Sequence, residues 1–180
     1  DGKSLVVSAR LSTAQEPWST NFDLYRLQAD GSGKAVNLTD ANDAWDAGPV
    51  FSADGKTLYY RAMKRPGFEA DRFGLMAMDL ATGAVREIAP DCDRSADGIV
   101  LSADGRTIYT GTADVGEHPL FAVDIASGEA TEVIGNGSIG SFSIAGPSNT
   151  FTRASLKSGA QVFTGGIDGA PERAITPSAS

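Results

Sequence analysis

Serine, histidine, cysteine and clustered aspartates are the residue types in this chain that could do chemistry, and their spacing restricts them severely. A serine nucleophile needs a sharp elbow, usually Gly-x-Ser-x-Gly between a strand and a helix, and a histidine base positioned by an acid. No Gly-x-Ser-x-Gly occurs. The nearest string, Gly146-Pro147-Ser148-Asn149-Thr150, ends in threonine and reads as a turn between strands. The single histidine, His118, lies in Gly116-Glu117-His118-Pro119 just ahead of a strand-like run, where it reads as a structural loop residue. Asp91-Cys92-Asp93-Arg94-Ser95-Ala96-Asp97-Gly98 alternates carboxylates, but the glycine and closing glutamate of a calcium loop are out of place. Those acids read as turn residues held by backbone amides. Cys92 is the only cysteine, so it forms no intramolecular disulfide, cannot build a zinc site with one histidine, and reads as a structural thiol. The sequence therefore predicts no catalytic residue, no metal ligand and no cofactor within this chain.

What remains is recognition. Two longer segments between strand-like runs, residues 12–22 with Trp18 and Phe22 and residues 64–73 with Phe68 and Phe73, mix aromatic and charged side chains. Such loops on a rigid scaffold are where binding concentrates. The structural alternative is that Trp18, Phe68 and Phe73 pack the loops down while the charges are solvated.

The elements that would position these loops come from an internal repeat. Asp-Gly recurs in one setting, at Asp1-Gly2-Lys3-Ser4-Leu5, Ser52-Ala53-Asp54-Gly55-Lys56-Thr57-Leu58 and Ser102-Ala103-Asp104-Gly105-Arg106-Thr107-Ile108. Between an apolar run and a β-prone run this is a strong hairpin signal, because Asp and Gly tolerate the positive φ such turns need. A second signature trails each turn: Asp23 to Gly31, Gly74 to Gly83, Pro119 to Gly128, and a decayed copy from Gln161 to Gly169. Equivalent residues Leu24, Leu75, Leu120 and Val162 are spaced by 51, 45 and 42. Periods of about 40–50 residues with four strands each are those of propeller blades. In the second unit the strands are expected at 49–52, 57–62, 75–80 and 84–88. Leu5/Val7, Leu58/Tyr60 and Ile108/Thr110 fall on one side, Val6/Ser8, Tyr59/Arg61 and Tyr109/Gly111 on the other, so both faces are expected to be covered. No helical period appears, and 21 glycines and 8 prolines punctuate the chain too often for long helices.

The prediction is an all-β fold, a partial β-propeller of about four blades of four-stranded antiparallel sheets, with blades near 1–44, 45–92, 93–138 and 139–180. The first residues already form the turn after a first strand, so the first blade is expected to lack its innermost strand. Residues 174–177 read as the outer strand of the fourth. Bare blade faces and a bare strand edge would then invite association. More blades and a further domain are expected in the parent protein. The net charge of −8, spread through turns, argues against a nucleic-acid partner, and no apolar stretch approaches the length of a membrane span.

Several strings resemble the propeller of prolyl-oligopeptidase-type serine peptidases, in particular bacterial dipeptidyl aminopeptidases and acylaminoacyl-peptidases. They are Phe51-Ser52-Ala53-Asp54-Gly55-Lys56-Thr57-Leu58-Tyr59-Tyr60-Arg61-Ala62-Met63, Arg65-Pro66-Gly67-Phe68-Glu69-Ala70-Asp71-Arg72-Phe73, His118-Pro119-Leu120-Phe121-Ala122-Val123-Asp124 and Ser155-Leu156-Lys157-Ser158-Gly159-Ala160-Gln161. The Arg65 to Arg72 string is the most specific; Ser-x-Asp-Gly is shared by many propellers, TolB-type ones included. The resemblance implies a non-catalytic propeller that gates peptide access to a C-terminal α/β-hydrolase domain, whose triad does not lie in this chain. It further implies a peptide substrate, and a periplasmic or secreted parent more than a cytoplasmic one. By position, the 65–73 loop is the candidate lining of the cavity, with Glu69 or Asp71 pairing a peptide amine and Arg65 or Arg72 a carboxylate. The other reading is a TolB-like propeller acting as a protein-binding module. A propeller glycosidase is disfavoured, because Asp1, Asp54 and Asp104 repeat as turn formers and not as a converging carboxylate pair.

Overall fold

The computed structural model of the chain describes residues 2–11, 18–145, 148–167 and 170–176. Asp1, residues 12–17 of the first candidate loop, Gly146 and Pro147, Asp168 and Gly169, and residues 177–180 lie outside the described residues. Strands and turns account for the regular structure, and among the described residues there is no α-helix and none long and apolar enough to cross a membrane. The chain divides into two compact units, Asp1–Asp93 and Arg94–Ser180.

The first unit holds two antiparallel sheets. One has three strands in the order β1 (Ser4–Ala9), β2 (Asp23–Gln28) and β3 (Val36–Asn37). The other has four, β4 (Asp46–Phe51), β5 (Thr57–Ala62), β6 (Gly74–Asp79) and β7 (Val85–Glu87), each paired with its successor. The second unit repeats the four-stranded plan twice. β8 (Val100–Leu101), β9 (Thr107–Gly111), β10 (Leu120–Asp124) and β11 (Ala130–Ile134) form one sheet, and β12 (Ser138–Ala145), β13 (Ser148–Ser155), β14 (Ser158–Thr164) and β15 (Arg173–Ala174) the other. The predicted sheets and their strand order are present, and among the described residues the first sheet has three strands.

The turns show why the repeat has its residues. Ser52 N–H donates to Thr57 O and Gly55 N–H to Ser52 O, both at 2.9 Å. Asp54 Oδ1 accepts from Ser52 Oγ at 2.6 Å and from Lys56 N–H at 3.1 Å, and Thr57 N–H donates to Ser52 Oγ at 3.0 Å. The Ser102-Ala103-Asp104-Gly105 turn has the same bonds at the same lengths. Positive φ falls on Gly55 and Gly105, at 69° each, and not on either Asp. The aspartate acts through its carboxylate, and of the two residues expected to tolerate positive φ only the glycine adopts it. Later in each repeat, Asp79 Oδ1 accepts from Ala81 N–H, Thr82 N–H and Thr82 Oγ, and Asp124 Oδ1 does the same for Ala126 and Ser127. These bonds hold all four carboxyls below the usual carboxylate range, Asp54 and Asp104 first through their serine hydroxyls and Asp79 and Asp124 first through a backbone amide.

The first strand of the second sheet begins earlier than predicted. Asp46 and Ala47 pair with Ala62 and Arg61, and the register then shifts before Val50↔Tyr59 and Phe51↔Leu58. Gly48, at φ 62°, sits inside this irregularity. Between the sheets of the first unit, Leu24, Leu58, Tyr60, Ala62 and Met78 form a buried cluster, with Val6, Leu38, Met76 and Leu80 packed against it. In the second unit Leu120, Ile134, Ile139, Phe151 and Ile167 do so, joined by Tyr109, Phe142 and Phe163. Coverage of both faces does not hold for the first sheet. Leu5 and Val7 are 55% and 42% exposed, whereas the repeat equivalents of Leu5, Leu58 and Ile108, and those of Val7, Tyr60 and Thr110, are buried.

This contrast sets the expected energetics. Leu58→Ala should lower unfolding stability by about 2–5 kcal/mol through lost burial and a residual cavity, while Leu5→Ala should cost less than about 1 kcal/mol. Urea unfolding of the two variants checks the difference; equal losses would contradict a register that buries Leu58 and exposes Leu5.

Candidate functional site

The 64–73 loop joins β5 to β6 and is organised by one buttressed carboxylate. Asp71 Oδ2 accepts from the backbone N–H of Lys64 and of Arg65, each at 2.8 Å, and Oδ1 from Arg65 Nε at 3.1 Å. Burial pushes against ionisation, but the amides of Lys64, Arg65 and Arg72 and the Arg65 guanidinium outweigh it and hold Asp71 down to about 2. The loop is closed by Phe68 N–H to Arg65 O and Asp71 N–H to Phe68 O. Arg65 lies over the Phe68 ring, 3.8 Å from its centroid. Gly67 N–H donates to Thr20 Oγ at 3.0 Å, which ties this loop to the segment entering β2.

A second carboxylate, Glu87 on β7, anchors the loop's other basic residues. Lys64 Nζ stands 2.6 Å from Glu87 Oε2 and Arg72 2.5 Å from Oε1. Burial again opposes ionisation, and the two cations still leave the Glu87 carboxyl below its ordinary value. Gly74 is the residue that permits this approach, since a Cβ there would stand 2.6 Å from Glu87 Oε1. Behind the loop, Phe73 meets Trp45 edge-on at 5.6 Å, Trp45 stacks on Phe22 at 4.8 Å, and Arg61 lies 4.9 Å from the Phe73 centroid.

The four residues named from sequence thus fall into different roles. Arg65 and Asp71 are brought together as one another's partners, Arg72 is spent on Glu87, and Glu69 is exposed with no bond to any described residue. The aromatics divide as well. Phe73 packs the loop base, Phe68 is 43% exposed beneath Arg65, and Trp18 is 75% exposed. The chemistry open to the loop is that of a buttressed rim offering a carboxylate unpaired among the described residues, beside exposed aromatic surface. Glu87 was missed in the sequence because its partners are 15 and 23 residues distant.

Two further ionisable groups are structural. Both ring nitrogens of His118 are engaged, Nε2 with Asp97 Oδ2 and Nδ1 with Ile139 O at 3.1 Å. His118 N–H also donates to Gly137 O, and Ile139 N–H to His118 O at 2.8 Å, so the residue bolts the β9–β10 loop to β12. This is the loop role expected from sequence. Asp46 was not singled out there and is fully buried between the sheets of the first unit. Asn42 Nδ2 donates to its Oδ1 at 3.0 Å, while Oδ2 has no hydrogen-bond partner among the described residues. Burial pushes this carboxyl up to about 7, the Asn42 and Thr39 side chains offset part of the shift, and Asp23 adds to it. Tyr60 is raised by burial and then by the neighbouring Asp46.

No protein-family model matches the chain. Dipeptidyl-peptidase 5 of Porphyromonas gingivalis is 30% identical over 134 residues, which is 74% of this chain and 19% of that protein. The chain spans about a fifth of the length of the curated relatives it matches. Among solved structures, the acylaminoacyl peptidase of Pyrococcus horikoshii superposes with a TM-score of 0.74 at 19% identity, over 98% of this chain and 26% of that one. A TolB candidate from Agrobacterium tumefaciens superposes with 0.70 at 17% identity, over 97% of this chain and 61% of that one. The likeness to these structures establishes the fold.

The Asp46 carboxyl predicts a pH dependence of defined sign. Its folded value is raised above the unfolded one, so its contribution is fully present below about pH 4 and is lost as pH rises to about 7. Asp46→Asn should remove that loss, gaining on the order of 2–4 kcal/mol relative to the parent between pH 4 and 8. Urea midpoints of both proteins across this range test it; parallel pH profiles would refute the assignment.

Proposed function

We propose that the chain, which is 30% identical to part of dipeptidyl-peptidase 5, is a propeller segment of a prolyl-oligopeptidase-type serine peptidase, the non-catalytic N-terminal propeller of an exopeptidase. In this reading it gates peptide access to a C-terminal hydrolase domain, and the parent enzyme acts on peptides outside the cytoplasm, in the periplasm or secreted. The absence of a Gly-x-Ser-x-Gly elbow anywhere in the sequence agrees with a propeller that carries no nucleophile.

The observation that carries the site assignment is the division of labour in the 64–73 loop. Asp71 and Glu87 consume Arg65, Arg72 and Lys64, and Glu69 has no partner among the described residues. An unpaired carboxylate on a loop made rigid by its neighbours is suited to a peptide's free ammonium group, because little ordering remains to be done on binding. Asp71 and the two arginines then act by shaping the rim, not as direct contacts. A TolB-like protein-binding role has fold similarity in its favour, but the peptidase reading has sequence similarity as well.

In the full-length enzyme, Glu69→Gln should raise KM for peptides with a free N-terminus by about tenfold, near 1.4 kcal/mol, and leave N-acylated peptides unaffected. Asp71→Asn should impair both classes, since it loosens the loop. Unchanged kinetics for Glu69→Gln on both substrates would remove Glu69 from the site. This chain alone should show no peptide hydrolysis, and turnover sensitive to a serine-directed reagent would overturn the non-catalytic assignment.

A further inference from the structure

We propose that Asn136-Gly137, in the connection from β11 to β12, is a site of spontaneous covalent modification, where the Gly137 amide nitrogen closes on the Asn136 side chain and converts it to aspartate and β-linked isoaspartate. The fold itself demands the two residues that make this reaction easy. Asn136 holds φ at 59° and Gly137 at 138°. Asparagine is one of the few residues with a side chain that adopt the first value, and glycine is the residue suited to the second. A Cβ on Gly137 would stand 2.5 Å from Ala154 O and 3.1 Å from Arg153 Cγ, so nothing larger than glycine fits there.

The chemistry needs only water. The Gly137 nitrogen attacks Asn136 Cγ, its N–H proton passes to a solvent base, and the bond from Cγ to the side-chain nitrogen breaks with release of ammonia. The product is a succinimide ring. Water then opens either ring carbonyl: addition at Cγ leaves an ordinary aspartate, whereas addition at the main-chain carbon leaves the chain running through Cβ as isoaspartate. In sum a water is consumed, an ammonia is released, and no atom changes oxidation state.

The structure leaves this pair free to react and ties up its competitors. Asn136 is exposed, and among the described residues neither its carboxamide nor the Gly137 N–H has a hydrogen-bond partner. Asn37 Nδ2 donates to Asp23 Oδ2 at 2.8 Å, and its Oδ1 accepts from Thr39 N–H at 3.0 Å. Asn42 Nδ2 donates to Asp46 Oδ1 and Met63 O, and its Oδ1 accepts from Ala44 N–H. Asn149 is buried in β13. Asn21, Asn37, Asn42 and Asn149 also precede Phe22, Leu38, Asp43 and Thr150, each with a Cβ that crowds the attacking nitrogen.

The site lies where two sheets of the second unit are joined. Gly137 O accepts from His118 N–H at 3.2 Å, and Ile139 N–H donates to His118 O at 2.8 Å. Isoaspartate at 136 adds a carbon to the main chain directly before Gly137 and displaces Gly137 O from that bond. The attachment of the β9–β10 loop to β12 is then weakened.

The test holds the full chain folded at mildly alkaline pH and follows each asparagine by peptide mass and fragmentation. The mass gain of an amide turning into an acid is the readout, since isomerisation at an Asp-Gly pair does not give it. Asn136 should convert at least about tenfold faster than the other asparagines, a gap that a small difference in barrier produces. Protein isoaspartyl methyltransferase should label residue 136 as the reaction proceeds. Asn136→Gly, which suits φ 59°, should abolish conversion in that peptide and keep the urea midpoint near the parent's. The isoaspartate fraction, once separated, should show faster amide exchange at His118 than unaged protein. Asn136 left intact over the time in which the urea-unfolded chain converts would overturn the proposal, because the fold would then shield the pair. So would conversion that starts at another asparagine. Unchanged His118 exchange in the isoaspartate fraction would overturn the weakening at β12.

Discussion

Register is the constraint on which the structure depends, and aspartate carboxylates at the turns set it. A one-residue slip in any of these strands would exchange its two faces. Asp54 and Asp104 prevent this by tying the serine before the turn to the amide after it, and Asp79 and Asp124 do the same at the outer hairpin. The bonds recur with almost unchanged lengths in two sheets whose other residues differ. The repeat therefore conserves a hydrogen-bond pattern, and the side chains between its fixed points vary with what each sheet must meet.

Once register is fixed, burial follows from which neighbours a sheet has. In the first unit the Leu58 face of β5 meets Leu24 and Val6 and becomes core. In the second unit one face of the β12–β15 sheet carries Ile139, Phe142, Phe151 and Phe163 into a shared cluster, whereas Ser141, Ser143 and Thr150 are exposed. The same geometry explains Asp46. A strand that starts early, across an irregularity at Gly48, draws a carboxyl into the packed interface, where the Asn42 and Thr39 side chains compensate it only in part. Burial of this acid is a cost of the local register, and it makes the first unit respond to pH.

Legibility from sequence followed the range of the interactions. The Asp-Gly turns were readable because each rests on residues within about ten positions of one another, and the strand order was readable because those turns recur in an internal repeat. The role of Asp54 was misread in one respect: its carboxylate, and not its φ, does the work. Asp97, read as a turn residue held by backbone amides, instead meets the His118 ring, and Glu87 and Asp46 were not assigned roles; the partners of Asp97 and Glu87 lie 15 or more residues away, and the burial of Asp46 depends on how two sheets pack. For the candidate loop, residues 64–73, composition alone showed five charges and two aromatics. It could not show that Asp71 faces the backbone of Lys64 and Arg65, or that Glu87 lies behind Arg72. Pairing of opposite charges left Glu69 as the remainder, and only coordinates could do that subtraction.

The loop also shows how a strand scaffold makes a recognition element without a helix or a disulfide. A ten-residue connection left to itself would lose much conformational entropy on binding. Here that loss is taken during folding: backbone amides converge on Asp71, Glu87 clamps both flanking cations, and Phe73 is wedged against Trp45. The clamp works only because β6 begins with glycine, whose missing Cβ leaves room for the Glu87 carboxylate. Rigidity at the rim is thus written into the edge strand and the strand start, away from the residues a ligand would touch. A change at Gly74 would reach the rim through Glu87 and Arg72, whereas a change at Glu69 leaves the frame intact and alters only what the frame presents.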